Sequence, residues 1–166
     1  MKTIVNNKKC IIEFKQITGQ DMIEEVKQLF LEYAQSLKVN LDFQDFETEL
    51  MALPGKYGPP DGVLIIALDD GTAVGCAGLR KINEGTCEMK RLYIRDDYKG
   101  LGIGKRLSTM IIEEASRLNY HDIRLDTLAS LKKALDLYIS LGFYDIEPYT
   151  YNPIEGARFM ELRLKG

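Results

Sequence analysis

The sequence predicts a mixed α/β protein of the α+β type, built on a central, mostly antiparallel sheet with about four helices around it. Short apolar runs between Gly, Asn and Asp turns indicate strands, and segments with apolar residues three and four apart indicate amphipathic helices. The predicted order of elements is βααβββαβαββ. A helix separates the strands predicted at Cys87–Ile94 and Ile123–Thr127, so these two strands are expected to pair in parallel.

The first half of the chain predicts one strand, two helices and a loop. Ile11–Lys15 is the first predicted strand, and the apolar spacing from Met22 to Leu37 predicts an amphipathic helix. A shorter helix is expected over Phe43–Leu53. The segment Pro54–Gly62 contains three Pro and three Gly, so it is expected to be irregular.

The second half predicts mainly strands. Val63–Leu68 is a continuous apolar run, typical of a strand buried on both faces, and Thr72–Arg80 is its hairpin partner after a turn at Asp69–Gly71. The remaining predicted elements are, in order, the strand Cys87–Ile94, a helix after a glycine-rich segment, the strand Ile123–Thr127, the helix Leu131–Leu141 and the strands Phe143–Glu147 and Arg158–Leu164.

Length and composition indicate an ordinary globular protein. The 166 residues fit a single domain over 1–166. Lys and Arg number 22 against 25 Asp and Glu, a net charge of −3, which argues against nucleic acid as a partner. The longest clean apolar run is far shorter than the roughly 18 residues of a membrane span. The three Cys are far apart in the sequence and there is one His, so no spacing typical of metal ligands is present and no metal site is expected. We therefore expect a cytoplasmic protein with no membrane partner.

The segment from Tyr98 to Lys105 carries the strongest chemical signal. Glycines at Gly100, Gly102 and Gly104 alternate between a strand and a helix, so several backbone N–H groups can point at one anion beside the positive end of the helix dipole. This pattern predicts a phosphate or pyrophosphate site, against the alternative of a flexible turn. A Walker A loop is excluded because the next residue, Arg106, replaces the required Ser or Thr.

Two segments resemble motifs of the GNAT superfamily of N-acetyltransferases. Lys99, Gly102 and Gly104 match the fixed positions of its acyl-CoA pyrophosphate loop, Q/R-x-x-G-x-G/A, although Lys99 replaces the usual Gln or Arg. Ala134–Phe143 is similar to the family's A-x-x-L-Y-x-x-x-G-F element. The resemblance implies a GNAT fold over roughly residues 60 to 150, with the two motifs in the family's order.

The resemblance implies a function and a set of binding residues. It implies transfer of an acetyl group from acetyl-CoA, without a metal, to a primary amine of a small molecule. A non-catalytic acyl-CoA sensor and a peptide amine as acceptor are the alternatives. The implied cofactor-binding residues are Leu92, Tyr93, Ile94, Lys99, Gly100, Leu101, Gly102, Ile103, Gly104 and Lys105.

The resemblance also implies catalytic residues. Tyr138 corresponds to the family's general acid, which gives a proton to the departing thiolate; the alternative is an aromatic residue of the core. Glu88 and Asp126 both lie where relatives place a general base, and Glu88 is preferred. For each carboxylate, a salt bridge is the alternative. Leu131 stands where many relatives carry an Asn that contacts CoA.

The acceptor side is predicted from residue chemistry. Arg80 and Arg91 lie on adjacent strands and suit carboxylate recognition, so we hypothesise a small amine that also bears an acid group. Tyr149, Tyr151 and Asn152 lie in the loop that forms part of the family's acceptor site. The mild acidity of the chain alternatively suits a polyamine or aminoglycoside, and a homodimer is compatible with the sequence.

Overall fold

The computed structural model describes residues 1–42 and 45–164. The strands are β1 (Lys2–Val5), β2 (Lys8–Gln16), β3 (Val63–Asp69), β4 (Thr72–Asn83), β5 (Thr86–Ile94), β6 (Asp122–Leu128), β7 (Tyr144–Asp145) and β8 (Ala157–Arg163). The α-helices are α1 (Ile23–Leu37), α2 (Phe46–Ala52), α3 (Ile103–Arg117) and α4 (Lys132–Ser140). Among these described residues, every helix is too short or too polar to cross a bilayer.

The strands form one sheet in the order β1-β2-β3-β4-β5-β6-β8-β7. β5 and β6 pair in parallel, and the other recorded pairs are antiparallel. The predicted mixed α/β fold and its parallel pair are therefore confirmed. α3 makes the crossover between β5 and β6, which places its N-terminus at the end of β5.

The N-terminus differs from the prediction. A hairpin precedes the first helix, and its first strand, β1, is missing from the predicted order. Asn6 and Asn7 both adopt positive φ angles in its turn, a conformation that Asn tolerates. Strand β1 lies at the sheet edge, where Ile4 is 60% exposed, so its sequence lacks the apolar alternation of a half-buried strand.

The second helix and the loop after it also differ slightly from the prediction. α2 begins at Phe46; residues 43 and 44, where the helix was expected to start, lie outside the described part of the chain. The segment Pro54–Gly62 contains a single 3₁₀ turn at Gly55–Tyr57, whereas no regular structure was expected there.

Two hydrophobic layers cover the two faces of the sheet. In β3, Val63 and Ile65 belong to the layer under α3 and α4, while Leu64 and Ile66 belong to the layer under α1 and α2. These residues are at most 2% exposed, so β3 is buried on both faces, as its continuous apolar run predicted. Because successive side chains of a strand point to opposite faces, one strand supplies both cores.

The parallel pair β5–β6 separates partway along its length. In the described part of the chain its ladder runs from Thr86 opposite Asp122 to Glu88 opposite Arg124, while β5 continues to Ile94. A bulge interrupts the pairing of β5 with β4, and Arg91 within it has a φ of 61°. A bulge bends its strand and increases the twist, so the two strands diverge and leave an opening between them.

Candidate active site

The glycine-rich loop presents unpaired backbone amides at the start of α3. Gly102 caps the helix with a φ of 85°. The first hydrogen bond of the helix runs from the Arg106 N–H to the Gly102 carbonyl. The N–H groups of residues 103–105 therefore have no acceptor within the helix. A Cβ at Gly100 or Gly102 would meet nothing within 4 Å. The loop therefore offers open space and several donors to an anion.

A groove of about 520 Å³ extends from this loop to α4. Its walls include the predicted cofactor-binding residues Leu92, Tyr93 and Ile94 at the end of β5. The Arg95 N–H donates toward β4, to the Val74 carbonyl. Because N–H groups alternate in direction along a strand, those of Ile94 and Leu92 point the other way, into the opening beside β6.

Among the residues that the structure describes, four lysines line this groove, and two of them were not predicted. Lys99 and Lys105 come from the loop, whereas Lys132 and Lys133 begin α4. Lys99 also pairs with Asp96 at 2.8 Å. Cations are unfavourable at a helix N-terminus, so adjacent lysines there are a sequence signal for an anionic ligand. The groove combines positive charge and amide donors, as a diphosphate would require.

Tyr138 lies beside a smaller pocket, of about 70 Å³, at the point where β5 and β6 diverge. Its side chain is 7% exposed, and its ring packs edge-on against Phe143. The Tyr138 Oη makes no hydrogen bond to any residue that the structure describes. Burial raises the pKa of Tyr138 above its usual value, so the phenol keeps its proton at neutral pH.

The structure places the two candidate general bases, Asp126 and Glu88, in different surroundings. Asp126 lines the same small pocket as Tyr138, and its Oδ2 accepts a hydrogen bond of 3.0 Å from Asn152 Nδ2. Glu88 is 3% exposed, and the described lining of this pocket does not include it. Its Oε1 accepts from Arg80 Nε at 3.0 Å and its Oε2 from Tyr149 Oη at 2.5 Å. Position therefore favours Asp126 over Glu88, the carboxylate preferred from sequence.

Arg91 is held by a carboxylate from α2. Its Nε and Nη2 donate to the two oxygens of Glu49 at 2.8 and 3.1 Å, and its side chain is 1% exposed. The guanidinium carbon lies 5.8 Å from the ring centre of Tyr33 and 5.1 Å from that of Phe46. Glu49 was not predicted as a site residue. It balances the charge of Arg91, and the pair fastens α2 to the bulge of β5.

A third cavity, of about 380 Å³, opens on the α2 side of the sheet. Arg80 and Lys90 line its floor, and Tyr151, which is 71% exposed, lies at its mouth. Lys90 also lines the small pocket of Tyr138, so this buried lysine separates the two cavities. Burial lowers the pKa of Lys90. We call this cavity the acceptor cavity, after the acceptor site that is expected to include Arg80 and Tyr151.

Tyr149 is linked through Glu88 to Arg80, which lines the acceptor cavity. Its ring packs edge-on against Phe159 and beneath the guanidinium of Arg124. Burial, together with the neighbouring carboxylate of Glu88, raises the pKa of Tyr149. Its hydroxyl is therefore a stable donor to Glu88, and the predicted site residues Tyr149 and Arg80 meet at one carboxylate.

Comparisons of the sequence identify the class of protein. Residues 23–143 match the model of the acetyltransferase (GNAT) family. An uncharacterized N-acetyltransferase of Schizosaccharomyces pombe is 41% identical over 144 residues, 86% of this chain and 88% of the relative. N-acetylaspartate synthetase of Danio rerio is 31% identical over 139 residues, 76% of this chain and 49% of that protein.

Solved structures show the same fold. A GNAT-family acetyltransferase from Staphylococcus aureus matches with a TM-score of 0.78 and 22% identity, over 93% of this chain and 100% of that one. A Salmonella typhimurium protein solved with its cofactor acetyl-CoA matches with a TM-score of 0.67 and 17% identity, over 93% and 94% of the two chains. The chain belongs to the GNAT family, and it is an N-acetyltransferase.

Proposed function

We propose that the protein transfers the acetyl group of acetyl-CoA to the primary amine of a small molecule by direct attack. The observation that carries this proposal is the continuity of the cleft. The 520 Å³ groove and the small pocket share Leu92, Leu131 and Ala134. A coenzyme whose diphosphate lies at the start of α3 can therefore extend its thioester toward Tyr138. The acetyl-CoA held by the Salmonella typhimurium relative supports the choice of donor.

Three residues have roles in the proposed reaction: Asp126 and Tyr138 line the small pocket, and Ile94 lines the adjoining groove. The neutral amine nitrogen forms a bond to the acetyl carbon, and the carbon–sulfur bond breaks. The nitrogen, positively charged after the attack, loses a second proton to solvent as the amide forms. Asp126 takes the proton that the ammonium loses, either directly or through water. The Ile94 N–H donates to the carbonyl oxygen as negative charge develops on it. Tyr138 then gives its proton to the departing thiolate and recovers one from solvent.

The acceptor cavity supports a small amine that bears an acid group. Its volume of about 380 Å³ suits a metabolite. Arg80 and Lys90 line it as hydrogen-bond donors, Arg80 beside Glu88 and Lys90 beside Asp126. The related N-acetylaspartate synthetase is named for a product of this class, an acetylated amino acid with two carboxylates. We therefore place amino-acid-like acceptors ahead of polyamines and peptides.

The proposal also covers the organisation of the chain. The sheet runs continuously from β1 to β7, so we take residues 1–166 as one acetyltransferase domain. A cytoplasmic location and a homodimer stay predictions from the sequence.

Turnover across a panel of amines tests the proposed function. We expect acetyl-CoA to bind, and thiol release to accelerate when a suitable primary amine is added. Calorimetric titration gives the binding, and a thiol reagent follows the release. Tight acetyl-CoA binding with no amine-dependent thiol release would instead identify a non-catalytic acyl-CoA sensor.

Replacing Gly102 by alanine is expected to weaken acetyl-CoA binding by about 10-fold. A left-handed conformation costs an L-residue roughly 1–2 kcal/mol, and about 1.4 kcal/mol corresponds to a factor of ten in affinity. The loop would relieve this strain by moving its amides away from the anion. Calorimetric titration of acetyl-CoA measures the change.

Gly71 offers a matched control for this variant. It lies in the β3–β4 turn with a φ of 80° and open space around a Cβ, as at Gly102. Gly71→Ala should therefore lower the unfolding temperature by a similar amount and leave acetyl-CoA affinity intact. Equal affinities for the two variants would show that the loop amides do not bind the coenzyme.

A further inference from the structure

Asn152 holds the carboxylate of Asp126 from the loop between β7 and β8. Its Nδ2 donates to Asp126 Oδ2 at 3.0 Å, and both residues line the small pocket together with Tyr138. The sequence placed Asn152 on the acceptor side, but the described lining of the acceptor cavity does not include it. The contact of Asn152 with the proposed base indicates a different role.

The orientation of the Asn152 amide is fixed from both ends. Its Oδ1 accepts a hydrogen bond of 3.1 Å from the Ile154 N–H, and the Ile154 carbonyl accepts one from the Ala157 N–H at the start of β8. Turning the amide over would set its oxygen against the Asp126 carboxylate and its NH₂ group against the Ile154 N–H. Two acceptors and two donors would then face each other, so the NH₂ group has to point at Asp126.

The Asp126 carboxylate is surrounded by ionisable groups. Its side chain is 7% exposed. The charged or titratable groups of the described elements around it are Lys90 and Arg91 on β5, Tyr33 on α1, Tyr138 on α4, Tyr149 in the loop, and the ion pair Arg124–Glu161 of β6 and β8. A hydrogen bond donated to the charged form of a carboxyl group favours that form. A carboxylate has about four acceptor positions, so the bond from Asn152 leaves room for the proton that a base takes.

We propose that Asn152 is the positioning residue of the general base, and that its amide keeps the Asp126 carboxylate ionised and in one orientation. The inference rests on the proposed function, in which Asp126 takes the proton of the amine. A reacting group keeps its productive geometry when a neighbouring hydrogen bond locks its side chain. Asn152 acts in this way through Asp126, and Asn152 itself takes no part in the proton transfer.

Two substitutions of Asn152 test the proposal through the pH profile of kcat. Asn152→Ala removes the donor. Asn152→Asp keeps an oxygen for the Ile154 N–H and places a second carboxylate against Asp126, which makes Asp126 harder to ionise. We expect the acidic limb of the profile to move to higher pH by about 1 pH unit in Asn152→Ala, and further in Asn152→Asp. Steady-state rates from pH 5 to 9, with the amine of the panel that turns over fastest, measure the shift. An acidic limb at the wild-type position in both variants would overturn the proposal.

Asn40→Asp is the matched control for the added charge. Asn40 Oδ1 accepts a hydrogen bond of 2.8 Å from the Asp42 N–H, two residues along the chain, as Asn152 does from Ile154. Asn40 is exposed, and the described lining of the small pocket does not include it. Asn40→Asp should therefore leave the acidic limb in place. A shift as large as that of Asn152→Asp would show that the contact with Asp126 is not the cause.

Tyr149→Phe separates the Asn152 bond from the position of the loop. Tyr149 ties the same loop to β5 by donating to Glu88 at 2.5 Å, and phenylalanine removes that bond without altering Asn152. The acidic limb should keep its wild-type position in this variant, whatever happens to KM for the acceptor. A limb that moves as far as in Asn152→Ala would assign the effect to the loop and contradict the role of the amide.

A titration without turnover distinguishes failure of this inference from failure of the proposed function. Carbon-13 NMR follows the ionisation of the Asp126 carboxyl group in protein saturated with CoA, and the signal is identified by its absence from Asp126→Asn. A midpoint that Asn152→Ala raises by about 1 pH unit, without turnover of any amine, would support the positioning role and contradict the transferase proposal. Turnover of an amine with the same midpoint in both proteins would support the transferase and overturn the inference.

Discussion

Tyr138→Phe is expected to lower kcat by about 10²–10³ and to leave the Kd of acetyl-CoA nearly unchanged. Tyr138 lines the small pocket, and the substitution removes its hydroxyl while keeping the ring that packs against Phe143. The thiolate of CoA would then leave without a proton donor. Because burial raises the pKa of Tyr138, the phenol is protonated at neutral and mildly alkaline pH, so the slowing should be similar across that range. Steady-state rates from pH 6 to 9 measure it.

Tyr144→Phe is the matched control for this variant. Tyr144 is 43% exposed in β7, and its hydroxyl donates to Glu161, remote from the small pocket. The control should retain the wild-type rate. If Tyr138→Phe also turned over at the wild-type rate, Tyr138 would be an aromatic residue of the core, the alternative that its position on an amphipathic helix allows.

Several elements of the fold could be predicted from patterns within a short stretch of sequence. The continuous run Val63–Leu68 predicted β3, and the spacing of apolar residues predicted α1. The glycine-rich loop was also predictable, because positive φ angles at Gly100 and Gly102 are a property of those residues alone. The exposed edge strand β1 lacked such a signal.

Long-range pairing in the site was not predictable in the same way. Glu49 meets Arg91 across 42 positions of sequence, and no local pattern links them. Strand alternation alone would place Lys90 and Arg91 on opposite faces of β5. The bulge at Arg91 interrupts this alternation, so Lys90 and Arg91 both line the small pocket. Lys90 Nζ also lies 3.9 Å from Asp126 Oδ1 on the neighbouring strand, a contact that depends on the register of the sheet and that no local pattern predicts.

Asp126→Asn is expected to lower kcat/KM by about 10²–10³, and Glu88→Gln by less than about 10-fold. Asp126 shares a pocket with Tyr138, the proposed acid. Glu88 already accepts hydrogen bonds from Arg80 and Tyr149, and proton transfer to it would disturb both. Asparagine and glutamine keep the shape of each side chain and remove its basicity. Rates with one amine acceptor give the comparison.

The pH profile decides which carboxylate is the base. A base must be ionised to take the proton of the amine, so activity falls at low pH as it becomes protonated. A variant that lacks the base should lose this acidic limb, whereas a variant that only disturbs packing should keep it at a lower rate. We expect the limb to disappear in Asp126→Asn and to persist in Glu88→Gln. The opposite result would assign the base to Glu88. Because Glu88 is not among the described residues that line the small pocket, water would then have to carry the proton from the amine to it.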